Sequence, residues 1–219
     1  MKTKIILLTA GLIALAGAPL PGQEKPARKG KLERLALGKK AEMTGTRMKG
    51  TDGKEYSIKD VRGAKGTLVM FSCNTCPWVV AWEDRIASIG NSAKQKGLGY
   101  IVINSNSTDT SPKDGMDEMK KRAKKRNFQF PYVMDETSDV ARAYGASKTP
   151  EVFLFDADLK LVYHGAIDDN AKNPDEVEEA YLEDAIDALL AGEEIAKKET
   201  KALGCTIKFR PAKEQARGQ

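Results

Sequence analysis

Two thiols three residues apart, Cys73 and Cys76, are the residues of this chain best suited to chemistry. The thiolate is the nucleophilic form of cysteine. It is favoured where unpaired N–H groups and the positive end of a helix dipole converge. The flanking residues set up such a place. Thr67-Leu68-Val69-Met70-Phe71 is an apolar run that reads as a buried strand, and Trp78 to Ile86 reads as a helix. Pro77 follows the second cysteine, where a missing N–H costs little because first-turn donors have no helical partner. A thiol pair at a strand-to-helix junction points to redox chemistry. Two other uses stay open: a static disulfide, or a metal site. A structural zinc usually has four ligands, and His164 is the only histidine. His164 is expected to be an ordinary, partly exposed strand residue, and no metal is assigned.

The elements that must position the pair follow from the rest of the pattern. Asp52-Gly53 between two short alternating runs is a hairpin signal. A helix is expected from about Pro77 to Lys96, with Val79, Val80, Ile86, Ile89 and Ala93 as its apolar stripe and Gly97 as its stop. Leu98 to Asn104 is a second buried strand. Strand, helix and strand in this order make a βαβ unit with parallel strands and a right-handed crossover. Asn104, Ser105 and Asn106 end that strand, where open α/β sheets gather their ligands. A helix from Lys113 to Arg126, a short strand at 131–135 and a short helix at 137–144 come next. Thr149-Pro150 then precedes a hairpin, 151–156 and 159–165. A polar loop with Asp168-Asp169-Asn170, read as a turn and helix entry, leads to an amphipathic helix, 178–191.

The chain has 219 residues, 41% hydrophobic and 31% charged, enough for one domain of ordinary size with tails. Its net charge of +5 comes from 36 basic and 31 acidic residues. So small a margin does not argue for nucleic acid, and the dense run Lys120 to Arg126 reads as a solvated helix face. Residues 1–22 carry Lys2 and Lys4, an apolar run from Ile5 to Ala16, and small residues Ala14, Ala16, Gly17 and Ala18. This is the pattern of a secretory signal peptide, too short to span a bilayer. A periplasmic or secreted protein with no membrane span after signal removal is expected, in a compartment where disulfides persist. Residues 23–38 read as a flexible arm, 39–192 as the domain, and 193–219 as a C-terminal tail with a disordered charged end. The tail contains Cys205, the odd third cysteine: a buried apolar thiol, a third redox thiol or an intermolecular disulfide site.

The order strand, Cys-x-x-Cys helix, strand, helix, strand, Thr-Pro, hairpin, helix resembles the thioredoxin fold over residues 40–192. The fold class is therefore α/β, a central mixed sheet flanked by helices, with an added N-terminal hairpin and an inserted strand and helix. Those additions are similar to the redoxin branch, which includes the alkyl hydroperoxide reductase and thiol-specific antioxidant (peroxiredoxin-like) proteins. The resemblance rests on Cys73-Asn74-Thr75-Cys76-Pro77, Ile103-Asn104-Ser105-Asn106, Phe130-Pro131-Tyr132, Asp135-Glu136-Thr137, Ala143-Tyr144-Gly145-Ala146, Gly165 to Asn170 and Gly204-Cys205-Thr206-Ile207-Lys208.

It implies that Cys73 attacks, from the exposed start of the helix, and that Cys76 resolves the mixed disulfide. It implies a cis-proline at Pro150, with the backbone of Thr149 pairing with an extended peptide substrate as a strand edge does. Pro77, Trp78 and Asn104 shape the site. Thioredoxin's buried acid is replaced by Thr67 and the tryptophan before its first cysteine by Ser72, which leaves Glu83, Asp84 or a water as proton acceptor. Lys148 is a cation expected near the sulfurs. The reading is a thiol–disulfide oxidoreductase with no cofactor beyond its redox-active disulfide, acting on protein or small-molecule disulfides and fed by an unidentified electron donor. Peroxiredoxins carry Thr-x-x-Cys, so an alternative is a thiol peroxidase with Cys76 peroxidatic and peroxide as substrate. A further alternative is a copper- or protein-binding module without turnover.

Overall fold

The computed structural model describes residues 32–212. The expected signal peptide, the arm up to residue 31 and the last seven residues lie outside them. Nine strands are described: β1 (Met48–Gly50), β2 (Glu55–Tyr56), β3 (Gly66–Phe71), β4 (Leu98–Asn104), β5 (Tyr132–Met134), β6 (Lys148–Thr149), β7 (Glu151–Phe155), β8 (Leu161–Gly165) and β9 (Cys205–Thr206). The α-helices are α1 (Pro77–Ala81), α2 (Glu83–Ala93), α3 (Met116–Lys125), α4 (Asp139–Tyr144) and α5 (Tyr181–Ala191). Seven strands form one mixed sheet in the order β2-β1-β5-β4-β3-β7-β8, and β6 pairs with β9 in a separate ribbon.

Every residue of β3 and β4 is buried, because both faces of the sheet are covered. Their parallel register places Val69 beside Ile101 and Phe71 beside Ile103. Leu68, Met70, Tyr100 and Val102 pack on one face with Ile86, Met119 and Ile186. Val69, Phe71, Ile101 and Ile103 pack on the other with Tyr144 and Phe153. The hairpin turns where Asp52-Gly53 predicted it, with Gly53 at φ +85° and the Gly50 N–H donating to the Lys54 carbonyl at 2.7 Å. The architecture is the thioredoxin-like fold that the resemblance implied, with the extra hairpin on β5.

Three expectations need correction. The helix after the cysteines is two helices, α1 and α2, meeting at Trp82. At that break the buried Trp82 donates its indole Nε1–H to Asp168 Oδ1 at 2.7 Å, and Arg85 pairs with the same carboxylate. A tertiary anchor therefore overrides the apolar period. Leu35, read as part of the flexible arm, is buried, and its N–H donates to the Tyr144 carbonyl at 3.1 Å. The tail also folds onto the domain through β9, and Ile207 is buried in the second core face.

Asp168 is buried beneath the partly buried Arg85 and accepts from Arg85, the Trp82 indole and the Asn170 N–H. Removing one partner of a buried ion pair strands the other. Asp168→Ala should therefore lower stability by about 3 kcal/mol, read as a reduced urea midpoint with an unchanged slope.

Candidate redox site

The site begins with a turn that has no regular structure of its own. Ser72 to Cys76 leave the end of β3, and Pro77 opens α1 with Cys76 at its N-cap. Backbone donors in such a turn need acceptors. Asp114 supplies them: its Oδ1 accepts the N–H of Asn74 at 2.7 Å and of Thr75 at 3.0 Å, and its Oδ2 accepts the Thr75 hydroxyl at 3.1 Å. The Asn74 side chain is fixed in turn, accepting from the Tyr132 hydroxyl at 3.0 Å and donating to the Lys113 carbonyl at 3.1 Å. Arg122 donates to the Asn74 carbonyl. Asp114 is completely buried and lies in the short turn before α3.

Opposite the turn runs the loop from Ala146 to Glu151. The Thr149–Pro150 bond is cis. The Thr149 hydroxyl lies 3.3 Å from Cys73 Sγ, and the Thr149 carbonyl is 3.0 Å from Cys76 Sγ, which donates to it when protonated. Glu151 fixes this loop. Its Oε2 accepts the N–H of Ser147 at 2.7 Å and of Lys148 at 2.8 Å, while Oε1 meets His164 Nε2 at 2.8 Å. Both Glu151 and His164 are fully buried. His164 is thus a loop-bracing residue and not the partly exposed strand residue expected, and its Nε2 faces Glu151.

A third wall comes from the tail. Thr149 pairs with Cys205 in the β6–β9 ribbon, and the Cys205 N–H points at Cys76 Sγ at 3.4 Å. A Cβ added to Gly204 would lie 2.3 Å from the Thr149 carbonyl oxygen, so the approach requires glycine. The backbone edge of Thr149, expected to hold a substrate peptide, is occupied by the chain's own strand.

These surroundings separate the two thiols. The Cys76 pKa falls to about 4, first because Cys73 donates its S–H to it, with burial opposing and the Cys205 thiol and the Val79 and Cys205 N–H groups adding to the fall. Cys73 is pushed strongly upward by that same hydrogen bond, by burial and by the Asp114 charge. These directions favour Cys76, not the Cys73 that the resemblance named, as the thiolate, while both sulfurs are buried. Cys73 is neither exposed nor at the helix start; it is 1% exposed and precedes the N-cap.

The other expected residues divide. Pro77 is exposed at the first helical position, and Trp78 is half-buried with its ring 5.9 Å from that of Trp82. Asn104 acts indirectly, donating from Nδ2 to the Asp114 carbonyl at 2.7 Å. Lys148 reaches Thr206 Oγ1 at 3.2 Å and bears on Cys205 rather than on the pair. Glu83 is taken by Arg122 and Arg126, and Asp84 by Arg126. Neither touches a sulfur, so they do not stand in for thioredoxin's buried acid. Asp114 and Glu151 escaped the sequence reading. The one signal for Asp114 was its place just after Ser111-Pro112, at a helix entry.

The sequence model of the AhpC/TSA family matches residues 38–164. An uncharacterized conserved protein of Geobacillus kaustophilus is 36% identical, with a TM-score of 0.74 over 81% of this chain and 94% of that one. A hypothetical protein of Sinorhizobium meliloti 1021 is 31% identical, with a TM-score of 0.75 over 82% of this chain and 97% of that one. Among curated proteins, the thiol-disulfide oxidoreductase ResA of Bacillus cereus is 25% identical over 135 residues, 60% of this chain and 70% of its own length.

A thiolate exists above its pKa, so in the reduced protein Cys76 should alkylate at a nearly constant rate from neutral pH downward. The rate should fall only as the pH nears about 4. Cys73→Ala removes the largest lowering contribution and should move that titration upward, read as thiolate absorbance against pH.

Proposed function

The chain belongs to the AhpC/TSA family and is an oxidoreductase of the thioredoxin-like superfamily, and from that premise we propose that it exchanges thiols and disulfides through Cys73 and Cys76, with Cys76 as the attacking thiolate. One observation carries the reading: the Cys73 thiol and the N–H groups of Val79 and Cys205 converge on Cys76 Sγ. Donors aimed at a sulfur stabilise its anion. The thiolate attacks one sulfur of a substrate disulfide and forms a mixed disulfide with it, expelling the other sulfur as a thiolate. The reaction ends with a disulfide between Cys73 and Cys76, two electrons having passed to the substrate. A separate dithiol donor then restores the pair. The substrates are protein or small-molecule disulfides, and no cofactor beyond the disulfide is invoked. Thr75, Pro77 and Val80 stand exposed beside Cys76 as the rim a partner meets. An extracytoplasmic setting is supported by the signal-like pattern from Lys2 to Ala18.

A second reading has its own support. Cys73-x-x-Cys76-Pro77 has the spacing of a peroxiredoxin Thr-x-x-Cys, and a thiolate with a low pKa also attacks peroxide to give a sulfenic acid. Two assays separate the readings. In insulin reduction driven by dithiothreitol, Cys76→Ser should abolish the catalysed rate; retention of that rate by the variant overturns the proposal. Rapid dimedone labelling of Cys76 after peroxide, without insulin reduction by the wild-type protein, establishes the peroxidase instead.

A further inference from the structure

Cys205 is left unused by the exchange just described, yet it is held at its centre. Strand β9 brings it across from Thr149, its N–H points at Cys76 Sγ at 3.4 Å, and its thiol interacts with that sulfur. Gly204 is pressed against the Thr149 carbonyl so closely that no side chain fits. The tail thus lies where an extended peptide would add a strand to the loop beside the cysteines, with a cysteine at the position facing the attacking sulfur. We propose that Cys205 is a third catalytic thiol, which resolves the mixed disulfide on Cys76 and does so as a built-in substitute for a substrate strand. This rests on Cys76 being the attacking thiolate.

The steps balance as follows. The Cys76 thiolate attacks a disulfide RS–SR′, forming Cys76–S–S–R and releasing R′S⁻, which takes a proton from water. Cys205 gives its proton to water and attacks Cys76 Sγ, so the Cys76–Cys205 bond forms and RS⁻ leaves, taking a proton in turn. Cys73 then attacks Cys76 Sγ, releasing Cys205 as a thiol and leaving Cys73–Cys76. In all, the chain loses two electrons and one proton; the substrate gains two electrons and two protons, the second proton coming from water.

The surroundings explain why Cys205 moves before Cys73. Cys73 is buried and faces the Asp114 charge, which opposes its ionisation. Cys205 is only partly buried. It is held up to about 11 by burial and by the hydrogen bond and charge of Cys76, and it is drawn down by Lys208 and Lys148. Once Cys76 is in a mixed disulfide its negative charge is gone, and the two lysines remain. Capture of the substrate thereby readies the thiol that releases it.

The test uses glutathione disulfide on the reduced full-length chain, with non-reducing peptide mass spectrometry. Cys73→Ser should carry a Cys76–Cys205 disulfide and little glutathione. Cys73→Ser combined with Cys205→Ser should hold glutathione on Cys76 for about a hundredfold longer, because the resolving thiol is no longer tethered at the site. Cys73→Ser combined with Gly204→Ala, which keeps all of the proposed attacking chemistry but unseats the tail, should also lengthen the life of the adduct. If Cys73→Ser keeps its glutathione as long as the double serine variant does, Cys205 does not resolve and the proposal is overturned while Cys76 attack stands. If no variant takes glutathione at Cys76, both the inference and the exchange reading under it are overturned.

Discussion

A carboxylate taken out of water must collect donors, and that constraint shapes this site. Asp114 and Glu151 are both completely buried. Burial of an unpaired charge is too costly to persist, so each is surrounded by N–H and O–H groups. The donors that Asp114 collects belong to the turn between Cys73 and Cys76, and those of Glu151 to the loop that carries Thr149. Two short segments outside the main sheet are thereby held in place, the second also by its pairing with β9. The sulfurs and the Thr149 carbonyl meet because each carboxylate grips its own loop. His164 and Asn106 extend the two networks into the sheet.

The division of labour between the thiols follows from the same frame. The turn sets the Cys73 thiol to donate to Cys76 in a buried place near the Asp114 charge, where an anion is disfavoured despite the Thr149 hydroxyl beside it. It places Cys76 at a helix N-cap, where first-turn N–H groups favour an anion. Two chemically identical residues three positions apart are thus pushed in opposite directions. A difference in surroundings of this kind assigns acid and nucleophile elsewhere in enzymes as well.

Much of the fold was legible because its signals are local. The Asp52-Gly53 turn, the all-apolar runs of β3 and β4, and the cysteines at a strand-to-helix junction each depend on neighbours in the chain. Thr149-Pro150 was legible only through resemblance to a family. What escaped depends on long-range contact. Asp114 reads as an ordinary acid at a helix start until its 39- and 40-residue separation from the cysteine turn is closed in space. Glu151 reads as the first residue of a strand, and His164 as an alternating strand position, until each becomes the other's partner. The tail was read as lying outside the domain, with only its charged end disordered, yet Gly204, Cys205 and Ile207 each fit a specific place against it. The helix break at Trp82 was invisible for the same reason, since Asp168 lies 86 residues away.

The sequence separation of 129 residues between Cys76 and Cys205 has a consequence for how the molecule comes into being. Synthesis runs from the N-terminus, so the first two thiols emerge long before the third exists. A nascent chain that meets an oxidant before Cys205 is made can close only Cys73 with Cys76. Strand β9 follows every strand of the main sheet in the chain and pairs with β6 outside that sheet. The order of synthesis thus adds the third thiol to the cluster only after both cysteines of the turn and every strand of the main sheet have been made.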